Sequence, residues 1–192
     1  MQVDELAPGL WRWTAVHPAW KPGEDWEPEV ACFYAETDAA TVLIDPLAPA
    51  NEDAERFWAH LDEDIERHGR PVAILLTGEW HRRSADVVAA RYNAPVHIGG
   101  RSLPDGVEAP VAVEGGGDQP YWLPGRGALA VGDAVISVGG VLRLWGAAER
   151  PEAVQSWLEL PAEHVLVAHG DHVPGGRAAL AAALEREPYG AV

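Results

Sequence analysis

The side chains best suited to chemistry lie directly after an apolar run. Ala73-Ile74-Leu75-Leu76-Thr77 is followed at once by Gly78-Glu79-Trp80-His81-Arg82-Arg83. An imidazole can move a proton or bind a metal ion, and guanidinium groups can stabilise an anion. Arg82 and Arg83 precede a predicted helix, whose dipole disfavours cations at its start. Two interpretations stay open: both arginines are solvated, or a guanidinium pairs with an acidic side chain elsewhere in the fold.

Nucleophilic catalysis has little support in this sequence. Cys32 stands beside Phe33 and Tyr34 and is predicted to be a small buried hydrophobe. Asp171 lies near His169 and His172 and could orient an imidazole, although neighbouring loop residues often share polar character. The serines lack the strand–turn–helix context of a nucleophile; they are Ser84, Ser102, Ser137 and Ser156.

Four of the nine tryptophans, Trp11, Trp13, Trp20 and Trp26, crowd the N-terminal segment. One interpretation is a loop that large apolar side chains pin to the body of the protein. The other is an aromatic wall beside a pocket. The sequence leaves both open.

The elements that position these residues can be predicted from hydrophobic periodicity. Phe57, Leu61 and Ile65 recur on one face and predict a helix over 51–68, with Asn51 as N-cap and Gly69 as stop. Other predicted helices cover 84–92, a segment starting at Pro151, and 177–187. Predicted strands include 10–16, 31–36, 41–44, 72–77, 95–98, 111–113, 121–123, 128–131, 135–138 and 165–168. Two packed sheets with helices outside would bury these runs.

The composition limits the partners. A chain of 192 residues with a net charge of −16 fits one domain over 1–192 and disfavours nucleic acid and anionic membranes. We find neither an apolar leader nor a run long enough to span a bilayer. We expect a cytoplasmic bacterial protein with a small-molecule ligand between its sheets, and the sequence leaves the oligomeric state open.

Four stretches, in this order, resemble the metallo-β-lactamase superfamily. They are Val42-Leu43-Ile44-Asp45-Pro46, the run ending at Thr77, Leu129-Ala130-Val131-Gly132-Asp133-Ala134 and Val165-Leu166-Val167-Ala168-His169-Gly170. The resemblance implies an α/β (α+β) fold, a four-layer αβ/βα sandwich with its site at the strand ends between two sheets. It also implies that Asp133 stands where the family's Asp bridges two metal ions and His169 where a His binds the second.

The other metal ligands of the family are replaced. The family's His-x-His-x-Asp-His positions hold Gly78, Trp80, Arg82 and Arg83, and Pro124-Gly125-Arg126 stands where a Pro-Gly-His segment is expected. Two of seven ligand positions remain, whereas a catalytic zinc uses about three protein ligands and a water. The ligand count thus favours no bound metal.

A rebuilt site for one zinc or iron ion is the alternative. Its candidate ligands are His81, Asp133 and His169, helped by one of Glu79, His97 or His172. If no metal is present, the carboxylate of Asp133 needs another positive charge. We therefore expect Arg82 or Arg83 to pair with Asp133, and Trp80 to fill the vacated space.

Three functions follow from these expectations. The first is a binding or structural protein that has lost the dinuclear zinc site. The second is a hydrolase of an ester, thioester, lactone or lactam, with a single metal ion. The third is a metal-free enzyme in which Asp133 and His169 are catalytic, and Arg82 and Arg83 bind an anion.

Overall fold

The longest apolar runs form one mixed sheet, whose strands are hydrogen-bonded in sequence order. The computed structural model describes residues 1–50, 52–113, 117–146 and 151–190. The strands are β1 (Val3–Ala7), β2 (Leu10–Val16), β3 (Glu29–Glu36), β4 (Thr41–Ile44), β5 (Val72–Leu76) and β6 (Val96–Ile98). β1 to β4 pair antiparallel, whereas β4, β5 and β6 run parallel. The chain therefore leaves β4 and β5 at the same edge of the sheet.

A second sheet is built from the C-terminal half. Its strands are β7 (Tyr121–Leu123), β8 (Ala128–Gly132) and β11 (His164–Val167), in the order β11-β8-β7. β9 (Val135–Val138) and β10 (Val141–Leu144) form a separate hairpin. Because β8 and β11 are parallel, the residues that follow them also meet at one edge.

Four helices are described outside the sheets: α1 (Ala54–His68), α2 (Ala85–Tyr92), α3 (Pro151–Trp157) and α4 (Gly176–Leu184). α1 buries Phe57 and Leu61, as its periodicity predicts, and ends at Gly69, whose left-handed backbone lets its N–H bond to the carbonyl of Ile65. The helix begins at Ala54, later than predicted, and Asn51 lies outside the described residues.

The core has three apolar layers, which separate four layers of backbone. Alternation along β3 shows this directly, since Ala31 and Phe33 face the second sheet while Val30 and Cys32 face α1 and α2. The third apolar layer lies between the second sheet and helices α3 and α4, around Trp157. The predicted αβ/βα sandwich is confirmed.

Two features of the fold differ from the sequence prediction. Residues 111–113 do not form a strand, and the chain pairs instead through an isolated bridge between Glu108 and Trp122. β1 and β10 were not predicted, and neither forms a continuous buried run: the residues of β1 are exposed or half-buried, and those of β10 alternate between half-buried and buried. Within the described ranges, no helix has the length and apolar character needed to cross a membrane.

Candidate metal centre

Three strand ends deliver two imidazoles and a carboxylate to one point. His81 lies in a 3-10 helix, Glu79–Arg82, that follows β5, Asp133 follows β8, and His169 follows β11. One ligand atom from each of the three side chains lies within 4.8 Å of the others. Sequence reasoning proposed these three residues as ligands of a rebuilt site, and the fold brings them together.

The donor set fits a divalent metal ion. Asp133 Oδ1 is 3.2 Å from His81 Nε2 and 3.3 Å from His169 Nε2. Zinc–ligand bonds of about 2.1 Å at tetrahedral angles place neighbouring donors about 3.4 Å apart. Two histidines and one carboxylate are a usual set for catalytic zinc and for non-haem iron. The three side chains thus supply three ligands and leave further positions for water or substrate.

Asp45 fixes the imidazole of His81. Its carboxylate accepts a hydrogen bond from the backbone N–H of Thr77 at 2.8 Å and another from the Thr77 hydroxyl, and it lies 3.0 Å from His81 Nδ1. Asp45 follows β4 with a left-handed backbone (φ 48°), which an aspartate tolerates better than most residues. A carboxylate behind a histidine orients the ring and directs its other nitrogen toward a ligand. Sequence reasoning did not predict this contact between Asp45 and His81.

The electrostatics of the cluster favour charged side chains. Burial disfavours the imidazolium of His81, but Asp45 and Asp133 outweigh burial and raise its pKa to about 9. Burial also opposes ionisation of Asp133, yet hydrogen bonds from His169 and His81 hold its pKa well below the usual range. His81 and His169 are 3% and 6% exposed. A positive charge is therefore stabilised beside Asp133 in a largely buried place.

Trp80 closes one side of the cluster. Its indole N–H donates to Asp133 Oδ2 at 2.7 Å. Its ring lies against Gly78 and Gly117, where an added Cβ would come within 2.7 and 3.0 Å of ring atoms. Trp80 therefore occupies the space next to Gly78.

Asp118 is a site residue that sequence reasoning missed. It is fully buried, and its Oδ1 accepts a hydrogen bond from the backbone N–H of Asp133 at 3.2 Å. Gly132 makes this approach possible, since its φ is 58° and a Cβ would lie 2.9 Å from both Asp118 Oδ1 and Thr77 Oγ1. In the sequence, Asp118 is a single aspartate after Gly115-Gly116-Gly117, and nothing in this local pattern predicts its contact with Asp133.

The expected pairing of Arg82 or Arg83 with Asp133 is wrong. Arg82 is exposed and pairs with Asp86, one helical turn further along. Arg83 donates to the backbone carbonyls of Ala31 and Asp45, because its backbone (φ 35°) turns the side chain toward the ends of β3 and β4. Asp133 instead lies 3.2 Å from His81 Nε2 and 3.3 Å from His169 Nε2, so the metal-free enzyme built on these arginines loses its anion-binding groups.

The other proposed ligands lie outside the cluster. Among the described residues, the only group of metal-ligating side chains is His81, Asp133 and His169, so Glu79, His97 and His172 do not join it. His172 packs against His164 with ring centres 5.8 Å apart. Arg126, at the expected Pro-Gly-His segment, donates to carbonyls of Pro8 and Glu36 and does not contribute to the site.

Two aromatic rings flank His169. Trp26 and Trp145 both meet its imidazole edge-on, with ring centres 5.0 and 4.9 Å away. Trp26 and His169 also line a cavity of about 740 Å³. Of the two interpretations of the N-terminal tryptophans, the aromatic wall beside a pocket describes the position of Trp26.

Solved structures with the same architecture cover nearly the whole chain. VMB-1 at pH 5.5 superposes with a TM-score of 0.64 and 18% identity over 96% of this chain and 94% of that one. A metallo-β-lactamase from Erythrobacter litoralis, with β-mercaptoethanol in its active site, gives 0.63 and 16% over 95% and 94%. The metallo-β-lactamase FIM-1 from Pseudomonas aeruginosa, in its mono-zinc form, gives 0.63 and 14% over 96% and 93%.

This chain has the metallo-β-lactamase fold. No family model and no curated protein matches its sequence. At identities below one fifth, the similarity shows the architecture of a metallo-β-lactamase and leaves the activity to the site itself. In this fold, His81, Asp133 and His169 meet between the two sheets.

Proposed function

We propose that this protein is a metal-dependent hydrolase that uses a single metal ion. The observation that carries the proposal is the convergence of His81, Asp133 and His169, with ligand atoms within 4.8 Å. The expected substrates are esters, thioesters, lactones or lactams. Hydrolysis adds the hydroxyl of water to the acyl carbon and its proton to the leaving oxygen, sulfur or nitrogen. A zinc or iron ion, when bound, supplies a Lewis acid that polarises the carbonyl and lowers the pKa of water.

A single ion agrees better with the residues than a pair. Gly78 and Trp80 offer no ligand atoms that suit a second ion, and Arg82 is paired with Asp86. Trp80 also fills the space beside Gly78. The solved FIM-1 structure is a mono-zinc form, so one zinc ion in this fold has a precedent.

The protein's own residues prepare the site. Asp45 holds His81 from its Nδ1 side, which directs Nε2 toward Asp133. The indole of Trp80 binds one oxygen of Asp133 and leaves the other facing both imidazoles. Trp26 and Trp145 restrict the ring of His169. Each ligand is therefore oriented before a metal ion arrives, which lowers the cost of binding.

The test is metal stoichiometry, measured by mass spectrometry on protein purified without chelator and then incubated with Zn²⁺. We expect about one ion per chain in the wild type, and its loss in Asp133→Asn and His169→Ala. His60→Ala is the matched control, because His60 is 69% exposed on α1 and lies outside the cluster. Ester and lactone hydrolysis is then assayed with the loaded protein. Absence of metal from the wild type in excess Zn²⁺ would overturn the proposal.

A metal-free binding protein is the second candidate. It is favoured by the contacts of Asp133, which already meets two histidines and the Trp80 indole in the structure. The raised pKa of His81 supplies a positive charge between two aspartates without a metal ion. Under this alternative the stoichiometry experiment returns no bound metal in any variant.

A further inference from the structure

A large cavity opens directly beside the metal centre. Its volume is about 740 Å³, within the range of small-molecule sites, and His169 forms part of its wall. The other walls come from the segment before β3, the β9–β10 turn and the residues after β11. A molecule in this cavity would lie next to the three converging side chains.

Carboxylates dominate the charge of this cavity. Five acidic residues line it: Glu24, Asp25, Glu27, Glu29 and Asp171. None of them forms an ion pair with a described residue. All five are exposed, so the cavity contains negative charge without internal compensation.

Arg12 is the one arginine or lysine among the described lining residues, and its side chain is already engaged. Arg12 is 5% exposed, and its guanidinium pairs with Asp4 at 3.3 Å and donates to the carbonyl of Gly170 at 2.9 Å. It therefore has little capacity to hold a carboxylate on a ligand. The net charge of −16 adds a long-range field that repels anions and attracts cations.

Aromatic side chains complete the recognition surface. Trp26 and Tyr189 are half-buried and line the cavity together with His169. The face of an indole or phenol ring attracts a cation, and the attraction strengthens as the cation loses water. In addition, His169 Nδ1 is buried and has no hydrogen-bond partner among the described residues.

We propose that the cavity formed by Trp26, Tyr189 and the five carboxylates binds organic ammonium cations. Substrates of the proposed hydrolase are then esters or thioesters that carry a positively charged amine, and substrates with a free carboxylate are disfavoured. This statement about substrates rests on the proposed function, whereas the binding of cations does not require a metal ion or catalysis.

The experiment uses choline as the probe and the metal-free full chain. Its affinity is measured by tryptophan fluorescence and by calorimetry at low salt. It is compared with that of the neutral alcohol in which carbon replaces the choline nitrogen. We expect choline to bind roughly tenfold more tightly, the ratio expected from one or two cation–π contacts surrounded by carboxylates. Added salt should weaken choline binding and leave the neutral alcohol unaffected.

Two variants locate the binding site. The double variant Glu27→Gln with Glu29→Gln keeps side-chain size and should lower choline affinity several-fold without changing that of the neutral alcohol. Glu63→Gln is the matched control, since Glu63 is 77% exposed on α1 and does not line the cavity. Glu63→Gln removes one negative charge from the protein outside the cavity and should have little effect on choline affinity.

The outcomes separate this inference from the proposed function. Equal affinities for choline and its neutral analogue would overturn the inference, as would choline binding that the double variant does not weaken. Choline binding without any bound metal in the stoichiometry experiment would support the cation site and reject the hydrolase. Hydrolysis of neutral esters with no preference for choline esters would support the hydrolase and overturn the statement about its substrates.

Discussion

The two ring nitrogens of His81 face carboxylates on opposite sides. Nδ1 lies 3.0 Å from Asp45 and Nε2 lies 3.2 Å from Asp133. A buried histidine with two acidic neighbours is held in one orientation, because any rotation of the ring would separate a charge from its partner. Asp45 is therefore expected to act on a metal ion through His81, without touching the ion.

Replacing Asp45 with asparagine tests this positioning role. Asp45→Asn keeps the size of the side chain but removes its charge, so His81 loses orientation and ligand strength. We expect Zn²⁺ affinity to fall about 10- to 100-fold, as measured by competition with a chelating dye. Asp86→Asn is the control, because Asp86 is exposed and pairs only with Arg82 among the described residues. Unchanged affinity in Asp45→Asn, with the fold intact by circular dichroism, would contradict the role.

The sequence predicts some of these residues and not others, for physical reasons. Asp133 and His169 end apolar strands, a feature visible in one stretch of chain. The contact between Asp45 and His81 depends on β4 lying parallel to β5, with Ile44 opposite Leu75, which no local pattern contains. The arginine prediction failed because local charge reasoning cannot show that Arg83 adopts a backbone with a positive φ of 35°, or that its side chain donates to the carbonyls of Ala31 and Asp45.

Cys32 gives a prediction for the pH dependence of stability. Burial raises the pKa of its thiol to about 11, above the value of about 8.5 in an unfolded chain. The folded state therefore keeps its proton while the unfolded state loses it, so stability is complete below pH 8.5 and falls as pH rises toward 11. Relative to Cys32→Ala, we expect the wild type to lose roughly 2–3 kcal/mol over this interval.

Urea unfolding of both proteins at intervals of pH measures this difference. Cys32→Ala lacks the ionising group and reports all other alkaline effects. Parallel curves for the two proteins from pH 8 to 11 would show that the thiol ionises equally in the folded and unfolded states. Cys32 would then be accessible, contrary to its complete burial.

At the scale of elements, strands with two buried faces were predicted best. β4 and β5 appear as continuous apolar runs because sheet and helices cover both of their faces. β1 is an edge strand with a mixed sequence, and its pairing with β2 depends on the turn around Pro8 and Gly9. β1 therefore forms because it can pair with β2, and its own amino-acid composition does not indicate a strand.

Gly170 shows how tightly the second sheet is joined next to His169. Its φ is 84°, and an added Cβ would lie 2.1 Å from the carbonyl oxygen of Ser137. Gly170→Ala must therefore separate the end of β11 from β9. We expect a loss of roughly 3 kcal/mol or more in the free energy of unfolding, and displacement of His169.

Gly99→Ala is the matched control for this substitution. Gly99 has a similar φ of 75°, but nothing lies within 4 Å of the position of an added Cβ. It should cost only the backbone strain of about 1–2 kcal/mol. Urea unfolding compares the two variants, and equal losses would show that backbone strain alone, without the clash at Ser137, sets the cost at Gly170.

At the scale of the whole molecule, the candidate metal centre is built by residues from both sheets. His81 follows a strand of the first sheet, whereas Asp133 and His169 follow strands of the second. Backbone hydrogen bonds already cross between the sheets here, from Ala31 N to the carbonyl of Ala168 and from Gln119 N to the carbonyl of Thr77. A metal ion held by all three side chains would add a further link between the two halves.

Under the proposed function, this geometry predicts that metal binding stabilises the entire fold. An ion that binds only the assembled site, at a free concentration 100 times its Kd, adds about 2.7 kcal/mol to the free energy of unfolding. For a chain of this length, that corresponds to a rise in Tm of roughly 5–10 °C. Differential scanning calorimetry with Zn²⁺, and then with excess chelator, measures the shift and its reversal. His169→Ala should show no shift in Tm with Zn²⁺.

Mg²⁺ at the same concentration is the control for non-specific screening, because the chain is strongly acidic. An equal rise in Tm with Mg²⁺ would show that the ions act on the surface charge and not on the three ligands.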